Sequence, residues 1–239
     1  MNTIRWKIWF LLVGLTAFLC CLQVPVSAII QASSKTDIFR RQFVAAQNLQ
    51  SAGLYRQACN TLLPVLDLAN FDCANLIDNQ LSPTEKVIIE KLPNTEIVTS
   101  GLRILGDVLR LTGALKNSQI ILNRSLVAAQ NLQLDSALSA AYLSLGNTQR
   151  AFGKRQEDIK KDAGANYDKA LDFYERAIAS SEKTEQLQAK LNKLSLLVSN
   201  LPNSDIGNLW QEIKSKIDNL PTSTQSIYDR INFAESLGC

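Results

Sequence analysis

A nine-residue pattern, Leu-Gly-[Asp/Asn]-x-x-Arg-x-x-Gly, occurs twice in this chain with starts forty residues apart. The first copy runs from Leu105 to Gly113 and the second from Leu145 to Gly153. Self-similarity at a period of about 20–50 residues marks folds built by stacking one supersecondary unit. Around the two copies, Leu102, Leu105 and Leu109, and then Leu138, Ala141, Tyr142 and Leu145, recur at the spacing of one helix face. Alternation of the strand type is hardly seen. The expected class is therefore all-α: an α-solenoid of about four helical hairpins with an open C-terminal edge.

The glycines phase the units. Gly106 and Gly146 are expected where a partner helix crosses closely, and Gly113 and Gly153 where the hairpin turns. Second helices follow as Asn117 to Gln133 and Ala165 to Ser181, with Leu122 aligned to Tyr174 and Ser125 to Ala177. That alignment needs twelve extra residues in the second unit, and residues 154–165 read as an insertion loop. An earlier unit spans Asp37 to Leu68 and turns at Gly53. Residues 70–95 form an irregular insertion, in which Ser82-Pro83-Thr84-Glu85 reads as a capping box opening a short helix that ends by Leu92. Three more helices are expected at Glu185–Ser199, Ser204–Asp218 and Thr222–Leu237, the last carrying an uncovered apolar stripe that suggests a chain stopping mid-unit.

Residues 1–28 read as a secretory signal peptide. Arg5 and Lys7 precede an uncharged run from Ile8 to Leu22, and Val26-Ser27-Ala28 offers small residues for cleavage. Fifteen residues would span only ~22 Å as a helix, short of the ~30 Å hydrocarbon core. An uncleaved anchor, or lipidation at Cys20 or Cys21, are the rival readings. Residues 29–36 are a lead-in, and 37–239 the helical array. Cleavage would leave 23 basic and 22 acidic residues, so the mature chain is nearly neutral and gives no electrostatic reason to invoke nucleic acid. No membrane contact is expected beyond the signal segment, and the expected location is the periplasm or the extracellular space. Three cysteines would remain. Cys59 and Cys73 either close a small disulfide loop or serve as small buried apolar residues, and Cys239 is the odd thiol.

The chain contains no histidine. That removes the commonest general base and metal ligand, and with it any Ser-His or Cys-His nucleophile. No metal-ligand spacing, phosphate-binding glycine loop or nucleophile elbow occurs, so neither metal, cofactor nor enzymatic activity is expected. The polar residues that repeat are Arg110 and Arg150. They either line a concave face and take a carboxylate from a peptide, or pair with neighbouring acids such as Asp107. Asn147 is placed to read a peptide backbone. Lys154, Arg155, Lys160 and Lys161 are nearly cancelled by Glu157, Asp158 and Asp162, and read as a solvated loop.

Leu-Gly-x-x-x-Arg followed by a turn glycine, with small and large residues at fixed offsets, resembles a tetratricopeptide repeat lacking its leading Trp. Gly101 to Gly153, Lys190 to Leu197 and Ile227 to Ala234 look like the N-terminal repeat region of exported cyanobacterial CHAT-domain proteins, as does Ala58 to Leu63 together with Cys73. The resemblance implies a non-catalytic scaffold that captures a protein or peptide partner on its concave face, ahead of a caspase-like domain. That domain would need its own His and Cys. The alternative is a regulatory fragment acting in trans, with a separate CHAT peptidase domain as its partner. Oligomeric state is left open.

Overall fold

The computed structural model describes residues 26–180, 183–201, 205–220, 223, 227, 229–231 and 233–234. Among them are ten α-helices and no strand: α1 (Val26–Ser51), α2 (Tyr55–Val65), α3 (Cys73–Asp78), α4 (Pro83–Glu90), α5 (Glu96–Leu111), α6 (Leu115–Leu132), α7 (Asp135–Asp158), α8 (Gly164–Ala179), α9 (Lys183–Asn200) and α10 (Gly207–Asp218). The apolar run of the signal, Cys239 and most of residues 222–237 lie outside the described residues. The lead-in expected at 29–36 is helical and continuous with α1. Two compact units meet at Gln42/Phe43. The described part of the first is the opening of α1, and everything below concerns the second.

Local chemistry sets the element starts. The Ser82 hydroxyl accepts from the Glu85 N–H at 3.2 Å while the Glu85 carboxylate accepts from the Ser82 N–H at 2.8 Å, with Pro83 in the first turn. This reciprocal cap satisfies two donors that the helix cannot. The Ser82 hydroxyl and N–H hold the Glu85 carboxyl below its usual range. Asp72 caps α3 and Thr95 caps α5 through side-chain oxygens. Gly53 (φ +75°) and Gly113 (φ +86°) supply the left-handed residues that end α1 and α5.

Helices adjacent in sequence pack in pairs, most extensively α5 with α6 and α7 with α8, and α7 also packs against the alternate helices α5 and α9. Glycines let the pairs close. A methyl group on Gly106 would come within 2.5 Å of Leu122 Cγ, and one on Gly146 within 2.5 Å of the Tyr174 ring. The Leu122–Tyr174 alignment drawn from the sequence thus corresponds to equivalent positions over equivalent glycines. Ser125, aligned with Ala177, is buried and donates to the Thr99 carbonyl at 2.7 Å.

Two expectations need correction. Gly153 does not turn the second hairpin. It lies inside α7, buried, and a methyl there would stand 2.3 Å from the Tyr167 ring. Residues 154–165 are not an insertion loop either, because α7 continues to Asp158 and α8 starts at Gly164. The twelve extra residues go mostly into the arms: seven lengthen α7, by ~10 Å, three lengthen α8 and two lengthen the connection. Lys160 (φ +56°) takes the left-handed position near the tip. Gly146 and Gly153 are seven apart on α7, as are Tyr167 and Tyr174 on α8, so two glycine–tyrosine crossings lie two turns apart.

The irregular insertion at 70–95 holds the two short helices α3 and α4, while α2 reaches past them to pack on α5. Cys59 and Cys73, both buried, are joined by a disulfide across 14 residues. Closing a loop of that size disfavours the unfolded chain by about 3 kcal/mol on the chain-entropy model. Leu76, Leu81, Ile89 and Leu92 from this segment enter the same core as Leu62, Leu66, Leu102, Leu105 and Leu109. Among the described residues no helix is long and apolar enough to cross a membrane.

Candidate functional site

The alternate helices α5, α7 and α9, with the C-terminal end of α1, line two cavities of about 220 and 270 Å³ that share Arg103, Ala140 and Glu185 and so form one groove. Small residues on α7, Ala137, Ala140 and Ser144, keep its wall low, and Gln47, Gln50 and Gln188 bring amides to it.

At the centre of the groove stands Asp107, 7% exposed. Its carboxylate accepts from Arg103 Nη1 at 3.2 Å and from the Ser144 hydroxyl at 2.9 Å, and Arg110 Nε lies 3.6 Å away. Two guanidinium groups therefore share one carboxylate. Arg110 Nε is buried and makes no hydrogen bond, the ion-pair distance being too long for one. The i,i+3 pairing of Arg110 with Asp107 anticipated from the sequence is present, yet it leaves the arginine under-used.

The other two candidate residues are placed differently. Asn147 lines the same groove as Arg110. Its side-chain oxygen accepts from the Tyr174 hydroxyl at 3.0 Å and from Asn192 Nδ2 at 2.8 Å, so its amide nitrogen is what remains for a ligand. Arg150 does not line either cavity. Its guanidinium donates to the Ser195 hydroxyl at 2.9 Å and so ties α7 to α9. The structure thus brings Arg110 and Asn147 together and leaves Arg150 as a strut. Arg103 was missed from the sequence, although its position four residues before Asp107 is a recognisable pairing signal.

Tyr174 forms the floor behind Asn147. Burial pushes its phenol up to about 12, with the nearby charges of Arg150 and Arg110 pulling the other way. Burial raises Tyr167 as well, and the neighbouring Glu157 adds to it. A phenol whose folded pKa exceeds its unfolded value near 10 stabilises the fold fully below pH ~10 and loses that contribution as pH rises towards the folded value. Between pH ~10 and ~12 the protein is expected to lose on the order of 2–3 kcal/mol through Tyr174 alone. Tyrosinate absorbance followed beside helical circular dichroism tests this. Tyr174→Phe should flatten the decline, and an unchanged slope would remove the assignment.

A further cavity of about 510 Å³ lies between α4 and α6 beside Arg124. Its guanidinium donates to the Glu90 carbonyl at 3.2 Å and to the Leu92 carbonyl, closing the end of α4. Burial lowers its pKa. We read this arginine as structural. No group of three or more His, Cys, Asp or Glu side chains that could hold a metal is present among the described residues.

Compared with known proteins, the chain matches no family model, no curated protein and no solved structure.

Proposed function

We propose that the chain is a tetratricopeptide-like scaffold that captures an extended peptide segment of a partner protein in the groove of α5, α7 and α9. The groove's polar equipment carries this reading: a shared Arg103–Asp107–Arg110 cluster whose Arg110 side chain lines the groove and keeps 21% of its surface exposed, beside the amides of Gln50, Asn147 and Gln188. Amides and guanidinium groups spaced along helices suit the alternating carbonyls and N–H groups of an extended chain and any carboxylate it bears. The absence of histidine from the sequence supports a binding rather than a catalytic role. The apolar run at Ile8–Leu22 supports export, and the buried Cys59–Cys73 disulfide suits an oxidising compartment. On this reading the chain corresponds to the non-catalytic N-terminal region of a CHAT-family protein, and a caspase-like domain is one partner it would hold.

Arg110→Ala should weaken partner binding about tenfold, the loss of roughly one charge-assisted hydrogen bond. Helicity should be unchanged, because Asp107 keeps Arg103 and Ser144. Photo-crosslinkers at Leu143 and Gln188 should trap the partner, and one at Val127 on α6 should not. Trapping from Val127 alone, or unchanged affinity in Arg110→Ala, would refute the groove.

A further inference from the structure

The end of the α7–α8 hairpin presents a charge arrangement that its sequence conceals. Four basic and three acidic residues crowd 154–162, but the fold sorts them. Glu157 accepts from Asn200 Nδ2 at 3.1 Å, Asp158 pairs with Lys154 at 3.5 Å, and Asp162 accepts from the Gly164 N–H at 2.9 Å. None of the three acids lines the cavity of about 630 Å³ between the α7 tip, the start of α6 and the α3–α4 connection. Arg155 and Lys161 do line it, joined by Lys116 from α6. No ion pair involves these three side chains among the described residues. The acid in the cavity wall, Asp78, already pairs with Arg56 at 3.7 Å.

The cavity wall therefore carries three exposed cations against one acid. Arg155 Nη2 lies 3.5 Å from where a methyl on Gly113 would sit, against the turn leading into α6. Lys116 occupies the first turn of α6, which holds no acidic residue and no side-chain cap. Cations at the positive end of a helix repel it, and the one acid in the cavity wall, Asp78, is shared with Arg56. A multiply charged oxyanion would turn each of these repulsions into an attraction. The cavity also has Asn79 and Gln80 on its wall as uncharged donors, and its volume admits more than one phosphoryl group. We propose that this cavity is an anion site that takes a phosphoryl group through Lys116, Arg155 and Lys161. It shares no lining residue with the peptide groove and stands independently of that reading.

The test titrates the folded, disulfide-bonded chain with inorganic phosphate and pyrophosphate by calorimetry, and with vesicles of phosphatidylglycerol or phosphatidylcholine by flotation. Pyrophosphate should bind more tightly than phosphate, and binding should weaken as salt rises from about 25 to about 250 mM. The Lys116→Gln/Arg155→Gln/Lys161→Gln variant should bind at least ~10-fold more weakly. Lys154→Gln, whose ammonium pairs outside the cavity, should match the unaltered protein. Binding of pyrophosphate without flotation on phosphatidylglycerol supports the site with a soluble phosphate as its source. Flotation that pyrophosphate competes away supports it with a lipid headgroup. Equal binding by the triple variant, equal loss in Lys154→Gln, or no binding of any probe overturns the proposal.

Discussion

Gly146→Ala combined with Gly153→Ala is expected to cost about 5 kcal/mol, a large part of the 5–15 kcal/mol that holds an ordinary domain folded. Alanine is the better helix former, and each substitution should gain about 1 kcal/mol of propensity. Packing reverses the sign. The new methyls would lie 2.5 Å from the Tyr174 ring and 2.3 Å from the Tyr167 ring, whereas carbon atoms rest at about 3.5–4.0 Å. Neither ring can step aside cheaply. Tyr174 is fully buried with its hydroxyl on Asn147, and Tyr167, 3% exposed, accepts from Asn200. Backbone separation of α7 from α8 is the remaining relief, and the two clashes sit two turns apart on the same seam. Urea unfolding of the single and double variants measures the effect. In a Tyr167→Ala background the clash is gone, so Gly153→Ala should become neutral or mildly stabilising. If it costs as much there as in the unaltered protein, the contact is not the cause.

That seam also shows how far the sequence could be read. The nonapeptide placed Gly106 and Gly146 correctly, because a helical glycine facing a large aligned residue has one common explanation. It misplaced Gly153 for a physical reason: a turn glycine and a crossing glycine are the same letter, and only the partner distinguishes them. The partner was visible in the matching seven-residue spacings of Gly146–Gly153 and Tyr167–Tyr174. Residues 154–158 read as a loop because their charge hides any apolar stripe, yet they extend a helix already nucleated upstream. At the groove, Arg110 and Asp107 were legible since they lie on one helix. Arg150 was not, because Ser195 is 45 residues away. Separation of the charges at the hairpin tip was equally hidden, since composition sums acids and bases whichever way they face.

Longest in reach is Asn117, and its removal should be the most damaging single polar change. Its amide nitrogen donates to the Leu76 carbonyl at 2.8 Å and the Asn79 carbonyl at 2.6 Å, and its oxygen accepts from the Leu81 N–H at 3.0 Å. The residue is 2% exposed. One side chain thereby satisfies the end of α3 and the strand of backbone leading to α4. Asn117→Ala leaves up to three main-chain groups without partners, each worth about 1–3 kcal/mol when buried, so a loss of about 3–5 kcal/mol is expected. Hydrogen exchange should rise first at Leu76–Leu81, since the Cys59–Cys73 bridge still tethers the start of α3. Asn117→Asp separates hydrogen bonding from packing. It retains the acceptor for Leu81 but points a carboxylate at two carbonyls, which raises its folded pKa above the unfolded value near 4. A group raised in this way contributes stability below the unfolded pKa and loses it as pH rises through the folded one. Asn117→Asp should therefore be closer to the unaltered protein at pH 4 than at pH 7. A variant equally destabilised at both would show that shape, rather than the three hydrogen bonds, is what this position supplies.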